Sequence, residues 1–93
     1  MANTLDRIKG ITAQISVLDA QISQSSEEMS MLEHIDDDAQ RDASVTDNYE
    51  DRAEAKMTRS DVARMSKQIA NLEKDRSRLV AKRDKQIAKL ASM

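Results

Sequence analysis

The 93-residue sequence has no cysteine, no proline, no tryptophan, no phenylalanine, one tyrosine and one glycine. Each shortage excludes something. Without cysteine there is no disulfide framework, no thiolate metal site and no cysteine nucleophile, which fits a reducing compartment. Without aromatics, the usual bulky fillers of a globular core are missing. Without proline, and almost without glycine, little in the chain interrupts a helix. No window is apolar for long enough to span a membrane. The opening MANTLDRIKG is not followed by the apolar run that marks a secretory leader. The expected location is therefore the cytoplasm, or a virion if the chain is phage-encoded.

What is present is Ile, Leu, Val, Met and Ala, with charged side chains at 34% of positions. That mixture, at this length, predicts one domain covering 1–93, built of long helices or a coiled coil. Disorder is the competing reading at such a charge density, and the periodicity below argues against it. The net charge is −2, unevenly placed. Residues 1–50 carry 11 acids and 3 bases, and residues 51–93 carry 6 acids and 12 bases. The two halves attract each other, within one chain or between two.

Two heptad stripes organise the chain. The first is Ile8, Ile11, Ile15, Leu18, Ile22, Ser25, Met29 and Leu32, at alternating spacings of 3 and 4. This is the a/d pattern of a coiled-coil seam. The second is Val62, Met65, Ile69, Leu72, Arg76, Leu79, Arg83, Gln86 and Leu90. It blurs after Arg76, where a four-residue stutter would bring Val80 and Ile87 onto the seam. The echo of QISVLD (14–19) in QIANLE (68–73) is shared coiled-coil grammar. The predicted fold is all-α: a long antiparallel two-helix coiled-coil hairpin. Helix one is expected over about 3–43, the tip over about 44–47 and helix two over about 48–92.

Antiparallel pairing sets each a position against a d position of the partner helix. Residues whose numbers sum to 94 give Leu32 with Val62, Met29 with Met65, Ser25 with Ile69, Ile22 with Leu72, Leu18 with Arg76 and Ile15 with Leu79. Toward the tip the layers shrink to Asp36 with Thr58, Ala39 with Ala55 and Ala43 with Asp51. A register shifted by seven also matches a with d. Ser44 and Thr46 are the expected N-caps of helix two, with Ser44-x-x-Asp47 approximating a capping box. Asp47 and Glu50 would favour the positive end of that helix. Gly10 is expected to mark a frayed end of helix one.

So few paired apolar side chains leave a lone hairpin marginal. Leu5, Val17, Met31 and Ile35 on helix one, with Val80 and Ile87 on helix two, lie off the seam and are read as an oligomer or partner face. Dimerisation to a four-helix bundle, or docking on another protein, is the economical completion.

Asp and Glu crowd residues 33–54, EHIDDDAQRDASVTDNYEDRAE. Within it, 36–47 superficially matches a calcium loop, with oxygen-bearing Asp36, Asp38, Gln40, Asp42, Ser44 and Asp47 in the ligand places. The match fails at Arg41 where a glycine is needed, at Ala43 where a larger apolar residue is usual, and at Asp47 where the bidentate Glu belongs. A solvated tip is the simpler reading. The partner-binding alternative places Asp36, Asp37, Asp38, Asp42, Asp47, Tyr49, Glu50 and Asp51 in contact with a basic or metal-bearing surface.

An antiparallel coiled coil ending in carboxylates resembles the RNA polymerase secondary-channel regulators of the Gre and DksA type, and DNYEDRAE (47–54) is similar to the acidic, Asp-Arg-Ala-containing tip region of the DksA-type proteins. The resemblance implies a hairpin whose Asp47, Glu50 and Asp51 enter a partner. Those factors add a zinc-binding or globular module that this sequence lacks. Small secreted hairpins of the early-secreted-antigen type carry a Trp-x-Gly turn, whereas ASVTDNYE (43–50) has neither Trp nor Gly, so that family is not assigned.

The arm from Lys74 to Lys89 holds seven cations, including Arg76, Arg78, Lys82, Arg83 and Lys85. They are read as spread over several faces, complementary to the acidic half, and nucleic acid is not the expected partner because no aromatics accompany them. His34 stands alone, which argues against zinc. The six Met (1, 29, 31, 57, 65, 93) are read as fillers of an irregular seam. Tyr49 is either an anchor for a partner or a cover for Ala43 and Ala53. No catalytic set, metal or cofactor is expected. The expected function is a non-enzymatic protein-binding assembly factor, such as a scaffold, secretion chaperone or phage-type accessory protein. The alternative is a regulator or inhibitor that inserts its acidic tip into RNA polymerase or a nucleic-acid-binding protein.

Overall fold

The computed structural model describes residues 3–92. The places assigned to Met1 and Met93 lie outside them. Two helices, α1 (Thr4–Thr46) and α2 (Tyr49–Ala91), form a helical hairpin joined by Asp47 and Asn48 alone. Asn caps both. Asn3 Oδ1 accepts the Asp6 amide at 2.8 Å, and Asn48 Oδ1 accepts the Asp51 amide at 2.8 Å. Each satisfies an amide that has no partner within its own first turn. Glu50 and Asp51 sit in the first turn of α2, where the helix dipole favours negative charge.

Helix α1 runs three residues further than the composition of SVTD indicates. Ser44 and Thr46 do not cap α2. Their hydroxyls point back along α1, Ser44 to the Arg41 carbonyl at 2.8 Å and Thr46 to the Asp42 carbonyl at 2.9 Å. Such hydroxyls bond back to carbonyls three or four residues earlier, sharing them with the helix's own amides. The break comes at Asp47, whose φ of 49° is left-handed. A short polar side chain tolerates that region better than most, so Asp47 ends the helix where glycine usually would.

The hairpin comprises two compact units. The terminal unit is Met1–Ser23 with Ala70–Met93, and the tip unit is Gln24–Ile69. In the terminal unit the seam is Ile8, Ile11, Ile15, Leu18 and Ile22 against Leu72, Arg76, Leu79, Arg83 and Gln86, all buried or half-buried. Ile15 is its most enclosed residue, 4% exposed. Of the two residues a stutter would bring onto the seam, Val80 is half-buried but Ile87 is not enclosed. Gln86 stays half-buried on the seam while Ile87 is exposed. The heptad continues through polar residues, because Arg and Gln stems can line a seam and carry their heads outward. Gly10 lies inside α1, with open space where a Cβ would stand, so it marks no helix end.

In the tip unit the seam narrows as the side chains shrink. Ser25, Met29, Leu32, Asp36 and Ala39 meet Ala55, Thr58, Val62, Met65 and Ile69. The pairing sum of 94 is the register adopted: Thr58 donates to Asp36 across the helices at 2.8 Å. Small Ala39 and Ala55 are both buried, which lets the helices approach before the two-residue turn.

Candidate functional site

The surfaces available to a partner are the flanks of the hairpin and its tip. At the tip the carboxylates divide into two groups. Asp36 is directed inward. Its Oδ1 accepts Gln40 Nε2 at 2.9 Å and the Thr58 hydroxyl at 2.8 Å. Gln40 spends its second amide proton on the Ala55 carbonyl at 2.7 Å, and its oxygen accepts Arg59 at 3.0 Å. The hydrogen bonds from Gln40 and Thr58, with a smaller contribution from the Arg59 charge, hold the Asp36 carboxyl below its ordinary value against the opposing effect of burial. Asp36 thus fastens one helix to the other and is half-buried, unlike the other carboxylates proposed to face a partner except Asp51.

Asp37, Asp38, Asp42, Asp47, Tyr49 and Glu50 are exposed, while half-buried Asp51 accepts the Thr46 hydroxyl. Exposed ion pairs join Arg41 to Asp38 at 3.5 Å and Arg52 to Asp47 at 3.1 Å. Residues 36–46 are continuous helix, which turns successive side chains to different sides instead of gathering them around one point. Among the described residues no group of three His, Asp or Glu is placed to hold a metal ion. Tyr49, 79% exposed, does not cover Ala43 or Ala53, and Val45 beside it is 77% exposed. The tip therefore presents two apolar side chains within an acidic rim.

Of the six off-seam apolar residues, five are exposed and Val80 is half-buried. They do not share one face. In the terminal unit Val17 lines an open groove of about 670 Å³ with Gln14, Leu18, Leu79, Arg78 and Lys82. Val80 and Ile87, seven apart, lie across the seam on the side where Arg76 bonds Asp19. Leu5, fourteen before Asp19, shares that side. The Asp19 hydrogen bond, then its charge, raises the pKa of Arg76 further. In the tip unit Met31 and Ile35 line a second groove of about 260 Å³ with Glu28, Leu32 and Met65.

Two features escaped the sequence reading. Val17, Gln21, Gln24, Glu28, Met31 and Ile35 recur on α1 at spacings of 4, 3, 4, 3 and 4, all exposed. This is a second heptad stripe bearing one charge in six, on a chain that is one-third charged. Its spacing was visible, but the glutamines hid it from a search for apolar residues. Secondly, the cations of the C-terminal arm are not scattered. Lys74, Arg78, Lys82, Lys85 and Lys89 recur at 4, 4, 3 and 4 and are all exposed, while Arg76 and Arg83 turn to the seam. The acids at 73 and 84 fall outside that stripe, and Asp75 pairs with Arg78 at 3.8 Å.

The two units differ in charge as well. The terminal unit has nine Lys and Arg against five Asp and Glu, net +4, and the tip unit has six against twelve, net −6. No protein-family model, no curated protein and no solved structure matches the chain.

Proposed function

We propose that this hairpin is a protein-binding assembly factor with no catalytic role, of the scaffold, secretion-chaperone or accessory kind. The exposed second heptad stripe of α1 is the observation that carries the reading. A heptad stripe of neutral and apolar side chains is what one helix offers another. It adjoins apolar grooves in both units, and grooves so open suit a side chain from another helix better than a small substrate. No helix of the described residues is long and apolar enough to cross a membrane, and the cytoplasm, or a virion, is the proposed place of action.

The test is a triple variant, Val17→Glu, Met31→Glu and Ile35→Glu, expressed in the source cells beside the parent chain. All three positions are exposed, so helicity by circular dichroism should hold. In-cell crosslinking should then lose the protein bands that the parent gives. Unchanged bands on an intact fold would refute a flank-based function.

A second reading is favoured by Val45 and Tyr49, the most exposed large apolar side chains among the described residues. They sit among carboxylates at the turn, as an inserting tip would require. Here charge reversal at Asp47, Glu50 and Asp51 abolishes partner activity while oligomeric state is preserved. A scaffold acting through its flanks is indifferent to that change.

A further inference from the structure

We propose that the α1 flank stripe is a self-complementary surface, and that two copies of this chain pair through it in opposite directions. The terminal unit of each then lies on the tip unit of the other. This deepens the reading of the flank as a protein-binding surface and rests on it.

Charge supplies the direction. Units of net +4 and −6 repel their own kind when two copies lie parallel, and attract when they lie antiparallel. The stripe supplies the register. Antiparallel helices pair a-type with d-type positions. In the stripe, 17, 24 and 31 form one set and 21, 28 and 35 the other. Pairing residues whose numbers sum to 52 sets Val17 against Ile35 of the second copy, Gln21 against Met31, and Gln24 against Glu28. The two-fold axis repeats each layer, so the contact is isologous and closes at two copies. Apolar layers lie at its ends and amides at its centre, where Gln side chains reach one another and Glu28.

The same register carries an electrostatic consequence. Gln14 falls opposite Asp38 of the second copy. Lys82 lines the Val17 groove together with Gln14, so its ammonium is brought to the Asp38 carboxylate. Within its own chain, Asp38 has only an exposed pair with Arg41 at 3.5 Å, which is readily exchanged.

The absence of native cysteine makes the test direct. Full-length Val17→Cys and Ile35→Cys chains are each prepared, then mixed, unfolded, refolded together and treated with a short bis-maleimide. The mixture should give a covalent dimer, and each variant alone should give little. Crosslinking of Val17→Cys with itself would show parallel pairing and overturn the proposal. Sedimentation of the unmodified chain should show a dimer that loosens as salt is raised. A chain still monomeric at about 0.1 mM would also overturn it. That failure would leave the flank free to hold a different protein, because the crosslinking bands of the Val17, Met31 and Ile35 variant are read separately. Lys82→Glu alone and Asp38→Lys alone should each weaken the dimer about tenfold at low salt, and the combined variant should recover most of that loss. Failure of the combination to recover would reject this register.

Discussion

The two units of one hairpin solve the same packing problem with opposite materials. The terminal unit uses large aliphatics, with Ile15 enclosed at its centre, and tolerates Arg76, Arg83 and Gln86 on the seam. Its polar seam residues are unevenly provided for: Arg76 bonds Asp19, while Gln86 Oε1 is buried with no hydrogen-bond partner among the described residues. The tip unit uses small residues, Ala39 and Ala55, and ties Asp36 of its seam to Thr58 across the helices and to Gln40, which in turn accepts from Arg59. Unpaired polar groups are costly and paired ones specify geometry. The terminal unit therefore holds by burial, and the tip unit holds by close approach and register. That division also explains how one helix can carry a seam on one side and a second heptad stripe on its flank without confusion between them. Slipping the hairpin by a heptad would leave Asp36 facing no hydroxyl.

The sharpest test of that contrast is a pair of substitutions with opposite logic. Ile15→Ala removes three methyl-sized groups from the most enclosed seam residue and should cost about 3 kcal/mol, read as a lower urea midpoint. Ala39→Leu adds volume where Ala39 and Ala55 are both buried and should cost about 2 kcal/mol by overpacking. If Ala39→Leu stabilises instead, the tip is not close-packed, and small size there has no structural meaning.

A pH titration separates the units next. Asp36 has a folded pKa below its unfolded value of about 3.9. A depressed carboxylate contributes stability that is fully present above the unfolded value and is lost as pH falls through the folded one. Thr58→Val and Gln40→Leu remove its two donors, so each should flatten the fall in stability below about pH 4. The Thr58 hydroxyl has one proton, shared between Asp36 and the Ala55 carbonyl at 3.1 Å, whereas the Gln40 amide has two. Gln40→Leu should therefore flatten the curve more. Equal curves for parent and both variants would exclude Asp36 as the fastener of the tip.

Much of this fold was legible in the sequence because it depends on periodicity. The positions from Ile8 to Leu32 repeat a/d spacing that only a helix can place on one face, and the Ala39 and Ala55 layer follows from the same register. The turn was less legible. Ser44, Thr46 and Asn48 are all cap-forming residues, and which one caps depends on where α1 yields its last carbonyl. That depends on Asp47 accepting a left-handed backbone. The candidate surfaces were legible only in part. Val17, Met31 and Ile35 stand out as apolar, but the glutamines between them are neutral only by contrast with the charges elsewhere. Asp36 reads as one acid among many until Thr58 is set opposite it.

Gly10 gives a smaller effect and a cleaner one. It sits within α1 of the terminal unit, and a Cβ there meets nothing within 4 Å. Gly10→Ala should stabilise by about 1 kcal/mol, by lowering the entropy of the unfolded chain and raising helix propensity. A loss on thermal melting would mean that the second copy, whose Asp42 falls opposite Gly10 in the proposed pairing, leaves no room for a Cβ there.

The smallest expected effect is at the turn of the tip unit, where one gain is opposed by two losses. Asp47 holds a φ of 49°, which disfavours a side chain, so Asp47→Gly should gain up to about 1 kcal/mol. An Asp suffers less there than most residues, which reduces the gain. The same change removes the ion pair with Arg52 at 3.1 Å, whose side chains are 58% and 79% exposed, and such pairs contribute about 0.5 kcal/mol. The unfolded chain also becomes more flexible, which works against the variant. The net should be a gain of a few tenths of a kcal/mol that grows with salt, because salt screens only the ion pair that the parent retains. A net loss that persists at high salt would mean that the Asp47 side chain does more than pair with Arg52, and would shift attention from the flanks to the turn as the surface under constraint.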